Sequence, residues 1–182
     1  MTERPLRADA QRNRDALLAA AAPAFAAKGA DASLEEIARQ AGVAIGTLYR
    51  HFPSREALFV AVHRAEMINV AEHADALLIT YEPLIALRLW LGRFTEFMTA
   101  KHGMADAFRM VLASGENPFV PMRAIVLDAL SKLILACGYE LRSDIDGLDI
   151  LTVLNGISLA TDDVEQTARL IDLVLDGLRA PR

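Results

Sequence analysis

The stretch SLEEIARQAGVAIGTLYRHF, residues 33–52, has the pattern of two short helices joined by a tight turn. Ala38 is a small residue at the point where the two helices would cross, and Gly42 supplies the Cβ-free residue that a tight turn needs. Leu48 gives the second helix an apolar anchor. This spacing predicts a helix-turn-helix.

The second helix of this stretch concentrates polar side chains at neighbouring positions. When Leu48 faces inward, Thr47, Tyr49, Arg50 and His51 face mostly outward. The second helix of a helix-turn-helix lies in the major groove of DNA, where such side chains meet base edges and phosphates. A solvated helix face is the alternative for this cluster, but its place inside a complete, capped motif favours contact with DNA.

The composition favours packed helices. Of the 182 residues, 53% are hydrophobic and only 6% are aromatic, with Ala and Leu the dominant apolar types. We therefore expect an all-α fold. Cys137 is the single cysteine and cannot form an internal disulfide. No apolar run approaches the roughly 18 residues of a membrane span, and we expect a soluble, cytoplasmic protein with no membrane partner.

Charge is distributed unevenly along the chain, whose formal net charge is −5. Residues 1–64 hold nine Lys and Arg against seven Asp and Glu, whereas residues 65–182 hold ten against seventeen. A mildly basic end on an acidic body favours one orientation on a nucleic-acid duplex. The positive surplus of residues 1–64 is small, so it only supports the interpretation of the helix-turn-helix as a DNA-binding motif.

Helix signals divide the first part of the chain into a three-helix head. We expect residues 1–8 to form a short mobile arm, followed by a helix from Asp9 to Lys28 that Pro23 should bend unless its neighbours compensate. Ser33 and Glu36 have the spacing of a capping box at the start of the second helix. Pro53 ends the third helix, and Ser54 caps a long fourth one.

The remaining sequence predicts five more helices, which gives about nine in all. They are expected at about residues 83–101, 105–113, 121–136, 146–160 and 163–178. We predict two domains, a helix-turn-helix domain at residues 9–53 and a helical ligand-binding and dimerisation body at residues 54–182.

The segment from about Arg12 to Leu58 resembles the DNA-binding domain of the TetR/AcrR family of bacterial transcriptional regulators. GVAIGTLYRHFPSREAL, residues 42–58, is similar to the signature of that family. The body resembles the general helical ligand-binding and dimerisation domain of the family, and its last segment is similar to the terminal helix pair of many members. Ala44 stands where many members have Ser, so that one possible contact to the DNA backbone is absent.

The resemblance and the geometry of the major groove together imply roles for individual residues. The candidates for reading bases are Ile45, Gly46, Thr47 and Arg50. The candidates for contacting the DNA backbone are Ser33, Tyr49, His51 and Arg55. Surface solubility is nearly as good an explanation for Arg55, and for Arg12 and Arg14 a plain exposed face is preferred to a phosphate contact.

Aromatic and methionine residues of the body suggest an apolar cavity for a hydrophobic small-molecule effector. The candidate lining residues are Met67, Trp90, Phe94, Met98, Phe108 and Met110. Core packing is the alternative role for each of them. The histidines lack the spacing of metal ligands, and we expect no metal and no cofactor. Cys137 fits a buried apolar position better than a redox sensor.

The last two predicted helices are too apolar to bury their surface against one another alone. Packing against the same pair of a second subunit would form a two-fold four-helix interface. The candidate interface residues are Leu151, Leu154, Ile157, Leu170, Val174 and Leu178. Gly156 would allow a close approach there, or would mark a local break in its helix.

These patterns predict a sequence-specific transcriptional regulator that binds double-stranded DNA at a palindromic operator as a homodimer. A ligand-responsive repressor is the preferred form, in which an effector moves the fourth helix and alters the spacing of the heads. The first alternative is a DNA-binding regulator controlled by a partner protein. An enzyme is the least favoured reading, since the sequence shows no nucleophile with a base, no paired carboxylates and no metal cluster.

Overall fold

The computed structural model describes residues 3–113, 115 and 117–180, with no side-chain description for residues 3–7. Over these residues the chain forms nine α-helices. Their bounds are α1 Glu3–Lys28, α2 Leu34–Gln40, α3 Ile45–His51, α4 Arg55–Thr80, α5 Pro83–Thr99, α6 Ala105–Leu112, α7 Val120–Cys137, α8 Gly147–Ala160 and α9 Val164–Leu178. Three short 3-10 helices lie at Gly29–Asp31, His102–Met104 and Gly138–Glu140. The all-α prediction is confirmed.

The first helix begins earlier than predicted. α1 starts at Glu3 instead of Asp9, so the proposed mobile arm of residues 1–8 is wrong from Glu3 onward. Pro5 is the third residue of α1, where the backbone needs no N–H because the first four amides of a helix have no partner within it. Residues 1 and 2 of the arm, and the side chains of Arg4 and Arg7, lie outside the described residues. α1 also runs unbroken through Pro23.

The helices separate into two compact units. The first unit comprises residues 1–66 and 103–119, and the second comprises residues 67–102 and 120–182. The helix α4 contributes to both. The predicted boundary between a DNA-binding domain and a ligand-binding body, at residues 53 and 54, concerns function and stays a prediction.

The first unit is built on a shared apolar core. Its buried members come from α1, α2, α3, α4 and α6 and include Leu17, Phe25, Ile37, Leu48, Phe59 and Val111. The ring of Phe59 meets those of Phe25 and Phe108 edge to face, with centroids 5.2 and 5.1 Å apart. Such pairs add about 0.5–1.5 kcal/mol each beyond the apolar area that they bury. Phe52, which follows α3, and Phe59 of α4 are both buried in this core.

In the second unit α5 contacts α7, α8 and α9. The fully buried Trp90 of α5 stacks on Phe94, with ring centroids 5.6 Å apart, and donates its indole N–H to the carbonyl of Val70 at 2.9 Å. A hydrogen bond of this kind satisfies the one polar atom of a buried Trp. α5 is therefore the central helix of this unit.

The terminal helices begin at strong caps. The side chain of Asp146 accepts hydrogen bonds from the amides of Leu148 and Asp149. The side chain of Asp149 in turn accepts the amide of Asp146, which completes a capping box. Asp163 caps α9 through the amide of Gln166. α8 is continuous through Gly156, so the alternative of a local break there is wrong.

Cys137, at the end of α7, is buried. Burial, with a smaller contribution from the charge of Glu140, raises the pKa of its thiol to about 11. The thiol is therefore protonated near neutral pH and lacks the thiolate that a redox sensor uses. Within the described residues, no helix is both long and apolar enough to cross a membrane.

Candidate nucleic-acid interface

A tight turn joins α2 to α3. Gly42 has a φ of +70°, in the left-handed region that glycine adopts without strain. Its amide donates to the carbonyl of Arg39 at 3.1 Å, and the amide of Val43 donates to that of Ala38 at 3.0 Å. These bonds close α2 and set the direction in which α3 leaves the turn.

Only one of the two hydrogen bonds of a capping box forms at the start of α2. Ser33 Oγ accepts the amide of Glu36 at 3.2 Å, as predicted. The carboxylate of Glu36 does not complete the capping box, because it accepts Arg39 Nε and Nη2 at 2.9 and 2.6 Å and Gln40 Nε2 at 2.8 Å. The bonds from Arg39 and then Gln40 lower the pKa of Glu36 to about 2. The charge of Arg39 is thus engaged within α2.

The helix α3 presents two distinct faces. Leu48 is fully buried, and Thr47 and His51 are half-buried. Ile45 and Tyr49 are 36% and 47% exposed, large fractions for apolar and aromatic side chains in a folded unit. The exposed residues Gly46 and Arg50 complete the outer face. Both ends of this face carry candidates for contact with DNA.

Glycine at position 46 is not required by the fold. A Cβ built on Gly46 would meet no atom within 4 Å, and its φ is not in the left-handed region. Space above Gly46 is therefore open in the free protein, as the predicted role in a close approach to DNA requires.

The candidates for contact with the DNA backbone are already partly engaged. Ser33 Oγ also donates to Glu35 Oε2 at 3.2 Å. Arg55, at the start of α4, donates from Nη1 to the carbonyl of Ala32 in the segment before α2. Arg55 thereby fixes the start of α4 within the first unit, a role that the sequence did not indicate. Whether these residues also bind phosphates stays a prediction.

Arg12 and Arg14 of α1 also have partners within the chain. Arg12 pairs with Asp9 one turn earlier on α1. The guanidinium of Arg14 lies over the ring of Phe52, 5.4 Å from its centroid, where it packs against the end of α3.

The six candidate effector residues are divided between the two units. Trp90 and Phe94 are buried in the second unit, where Met67 is also buried and Met98 is half-buried. The other two, Phe108 and Met110, belong to the first unit and are half-buried. Phe108 packs there against Phe59 and His63. The buried members thus have a packing role in the structure, and contact with an effector stays a prediction.

The second unit also has an open groove of about 520 Å³ between α5 and the first half of α9. Leu89, Gly92 and Ile171 contribute apolar surface to it, and Arg93 and Glu96 contribute charge. None of the six candidate effector residues lines this groove. Its residues were not singled out from the sequence, because the side chains that meet there come from helices far apart in the chain.

The candidate interface residues of α8 and α9 lie mainly inside their own unit. Leu151, Leu154, Ile157 and Leu178 are buried within the subunit. The remaining two, Leu170 and Val174, are half-buried. The solvent-facing apolar residues of these helices are instead Leu148, Val153, Leu159, Val164 and Leu173. Most of the predicted interface residues form the more regular apolar stripe of these helices, and the subunit buries that stripe in its own core.

A capped two-helix motif with an exposed second helix and a glycine turn defines a DNA-binding protein of the helix-turn-helix class. Residues 17–62 match the family described as bacterial regulatory proteins, tetR family. Residues 82–180 match the C-terminal domain described as transcriptional regulator SbtR-like.

Solved structures of the same family resemble the whole chain. A TetR transcriptional regulator from Streptomyces coelicolor is 47% identical, with 93% of this chain and 99% of that chain covered and a TM-score of 0.81. A TetR regulatory protein from Mycobacterium vanbaalenii is 34% identical, with coverages of 97% and 100% and a TM-score of 0.74. The chain belongs to the tetR family of bacterial regulatory proteins.

The chain also resembles a curated repressor over part of its length. The transcriptional repressor KstR of Mycolicibacterium smegmatis is 32% identical over 120 residues, which cover 59% of this chain and 59% of that protein. The KstR repressor of Mycobacterium tuberculosis is 31% identical over the same number of residues, which cover 54% of that protein. The match therefore spans less than two thirds of the length of these repressors.

The two glycines of the motif should respond oppositely to alanine. Gly42→Ala should destabilise the protein by about 1–2 kcal/mol, since it forces a side chain into the left-handed region. Gly46→Ala should leave the stability unchanged or raise it by up to about 1 kcal/mol, because alanine favours a helix. Binding of Gly46→Ala to a duplex selected by the native protein should weaken about tenfold, comparable to the loss of one base contact.

Denaturant unfolding at a fixed protein concentration and titration of a labelled duplex measure the two effects. Unchanged DNA affinity in a folded Gly46→Ala protein would contradict the predicted close approach.

Proposed function

We propose that this protein is a transcriptional repressor that binds a palindromic operator as a homodimer and is released by a hydrophobic small molecule. DNA binding is assigned to the first unit, and effector binding and dimerisation to the second. The proposal rests chiefly on one observation, the exposed outer face of α3 held over the buried Leu48.

The outer face of α3 has the chemistry of a base-reading surface. Ile45 can pack on a thymine methyl group, and Gly46 lets the helix approach the base edges. Thr47 can exchange hydrogen bonds with several bases, and the guanidinium of Arg50 can bind guanine through two parallel hydrogen bonds. Tyr49 and His51 would contact phosphates and set the register of the helix without reading sequence.

Exposed apolar surface on α8 and α9 supports the homodimer. Leu159 of α8 and Leu173 of α9 are 74% and 69% exposed. A Cβ placed on Gly156 or Gly177 would meet nothing within 4 Å, so the same helices also offer small residues where a second backbone can approach. Two copies joined through these faces by a two-fold axis would present two α3 helices to a palindrome.

The proposed effector site is in the second unit, beside α5. Met98 is half-buried on this helix, one turn after the buried Phe94, and its flexible thioether can adapt to a bound apolar molecule. α4 is one continuous helix that contributes to both units. We therefore expect the effector to influence DNA binding through α4, with a coupling of about 1–3 kcal/mol.

The first test is selection of bound duplexes from a randomised pool at physiological salt, where non-specific attraction to phosphates is weak. The native protein should enrich a two-fold-symmetric site. Arg50→Ala should lose about 1–3 kcal/mol of preference at one base pair of each half-site. Tyr49→Phe should weaken all duplexes alike, by about 1 kcal/mol for one hydrogen bond.

Enrichment of no duplex by the native protein would argue against sequence-specific binding. Equal loss of base preference in Tyr49→Phe and Arg50→Ala would contradict the division between phosphate and base contacts.

The second test concerns the dimer. Leu159→Arg should produce a monomer in light scattering and weaken operator binding by about a hundredfold, since each head then binds alone. Leu135→Arg is the matched control, because Leu135 is 78% exposed on α7. It should remain dimeric with native affinity. A dimeric Leu159→Arg protein would exclude this face of α8 from the interface.

The third test concerns the effector. Apolar small molecules that raise the melting temperature should also release the operator, by about 5- to 150-fold in affinity. Met98→Ala should reduce this release of the operator. Leu89 lies on the same helix but lines the groove between α5 and α9, so Leu89→Ala should not reduce the release. A response lost only in Leu89→Ala would place the effector in the groove. Binding without any change in operator affinity would contradict ligand control.

A further inference from the structure

Arg50 is held against the first turn of α3 by two hydrogen bonds. Its Nη2 donates to Thr47 Oγ1 at 2.8 Å, and its Nε donates to the carbonyl of Gly46 at 3.3 Å. Both acceptors belong to residues that we assign to the base-reading surface. The guanidinium therefore lies over the amino-terminal end of α3, the end that meets base edges in a helix-turn-helix.

These bonds leave the guanidinium free to bind a base. Of its five N–H groups, the Nε–H and one N–H of Nη2 are used, so both terminal nitrogens keep a donor. Neither acceptor is a carboxylate, in contrast to the partner of Arg39, which is Glu36. These two bonds thus restrict the direction of Arg50 without neutralising its charge.

Thr47 is suited to fix the direction of another side chain. It is half-buried, and as a β-branched residue in a helix it has few rotamers for its hydroxyl. An unrestrained arginine loses about 2 kcal/mol of rotamer freedom when it is immobilised. A hydrogen bond that is present before DNA arrives removes part of that loss from the binding step.

We propose that Thr47 is a positioning residue for Arg50, so that its hydroxyl sets the preference at the base pair that Arg50 reads. This inference rests on the proposed function, since it requires that Arg50 contact a base. It adds a coupling between two base-reading positions, which makes their contributions to specificity non-additive.

The test uses the base pair at which Arg50→Ala loses preference. Duplexes carrying each of the four base pairs at that position are titrated with the native protein, Thr47→Val, Thr47→Ser, Arg50→Ala and the double variant Thr47→Val/Arg50→Ala. Thr47→Val keeps the shape of the side chain and removes the acceptor. It should lower the preference at this base pair by about five- to tenfold. Thr47→Ser keeps the hydroxyl and should stay within about twofold of the native protein.

In the Arg50→Ala background, Thr47→Val should change nothing further at this base pair. A loss of the same size in that background would overturn the proposal, because Thr47 would then act through its own contact with DNA. Unchanged preference in Thr47→Val would also overturn the proposal. Tighter operator binding by Thr47→Val would overturn it too, because the hydrogen bond would then hold Arg50 away from its base.

A second measurement needs no DNA. In the free protein, exchange of the Arg50 Nε–H with solvent, followed by NMR, should be faster in Thr47→Val than in the native protein or Thr47→Ser. Equal exchange in all three would overturn the positioning role even where operator binding is normal. Failure of the proposed function is recognised separately, as a native protein that prefers no duplex.

Discussion

Burial of Leu48 is the contact on which the orientation of the proposed DNA-binding surface depends. α3 has only seven residues, and a helix of that length is not stable alone in water. Its place is therefore determined by packing, and its buried side chain points into the core that α1, α2 and α4 share. With Leu48 fixed inward, Gly46 and Arg50, each two residues away on opposite sides of it in the sequence, have to face outward. The core of the first unit thus also sets the direction of the α3 face that we propose reads DNA.

Local signals allowed most helix boundaries to be predicted from the sequence. Ser54, Asp146 and Asp163 cap the helices that follow them, and each cap depends on residues only two or three positions away. α8 was expected to begin at about residue 146 and begins at Gly147. The start of α1 was missed because Pro5 was interpreted as part of a mobile arm, although proline fits the first turn of a helix.

The candidate site was less predictable where side chains compete for one partner. Glu36 stands where a capping box requires it, but Arg39 and Gln40, one turn further along the same helix, engage its carboxylate instead. The proposed dimer face was less predictable for a different reason. In α8 both the inner residue Leu154 and the outer residue Leu159 are apolar, so periodicity alone does not tell which stripe remains in solvent. Only the packing of the other helices settles that question.

The first unit is not continuous in sequence, since residues 103–119 return to join residues 1–66. Val111 belongs to its core, and Phe108 packs against the Phe59 ring. During synthesis, proteins fold as each unit becomes complete, starting from the amino terminus. The helix-turn-helix leaves the ribosome before α6, so its core lacks that helix until more than fifty further residues have been added. The helices that we propose bind DNA therefore complete their core only after α4, α5 and α6 have all been added.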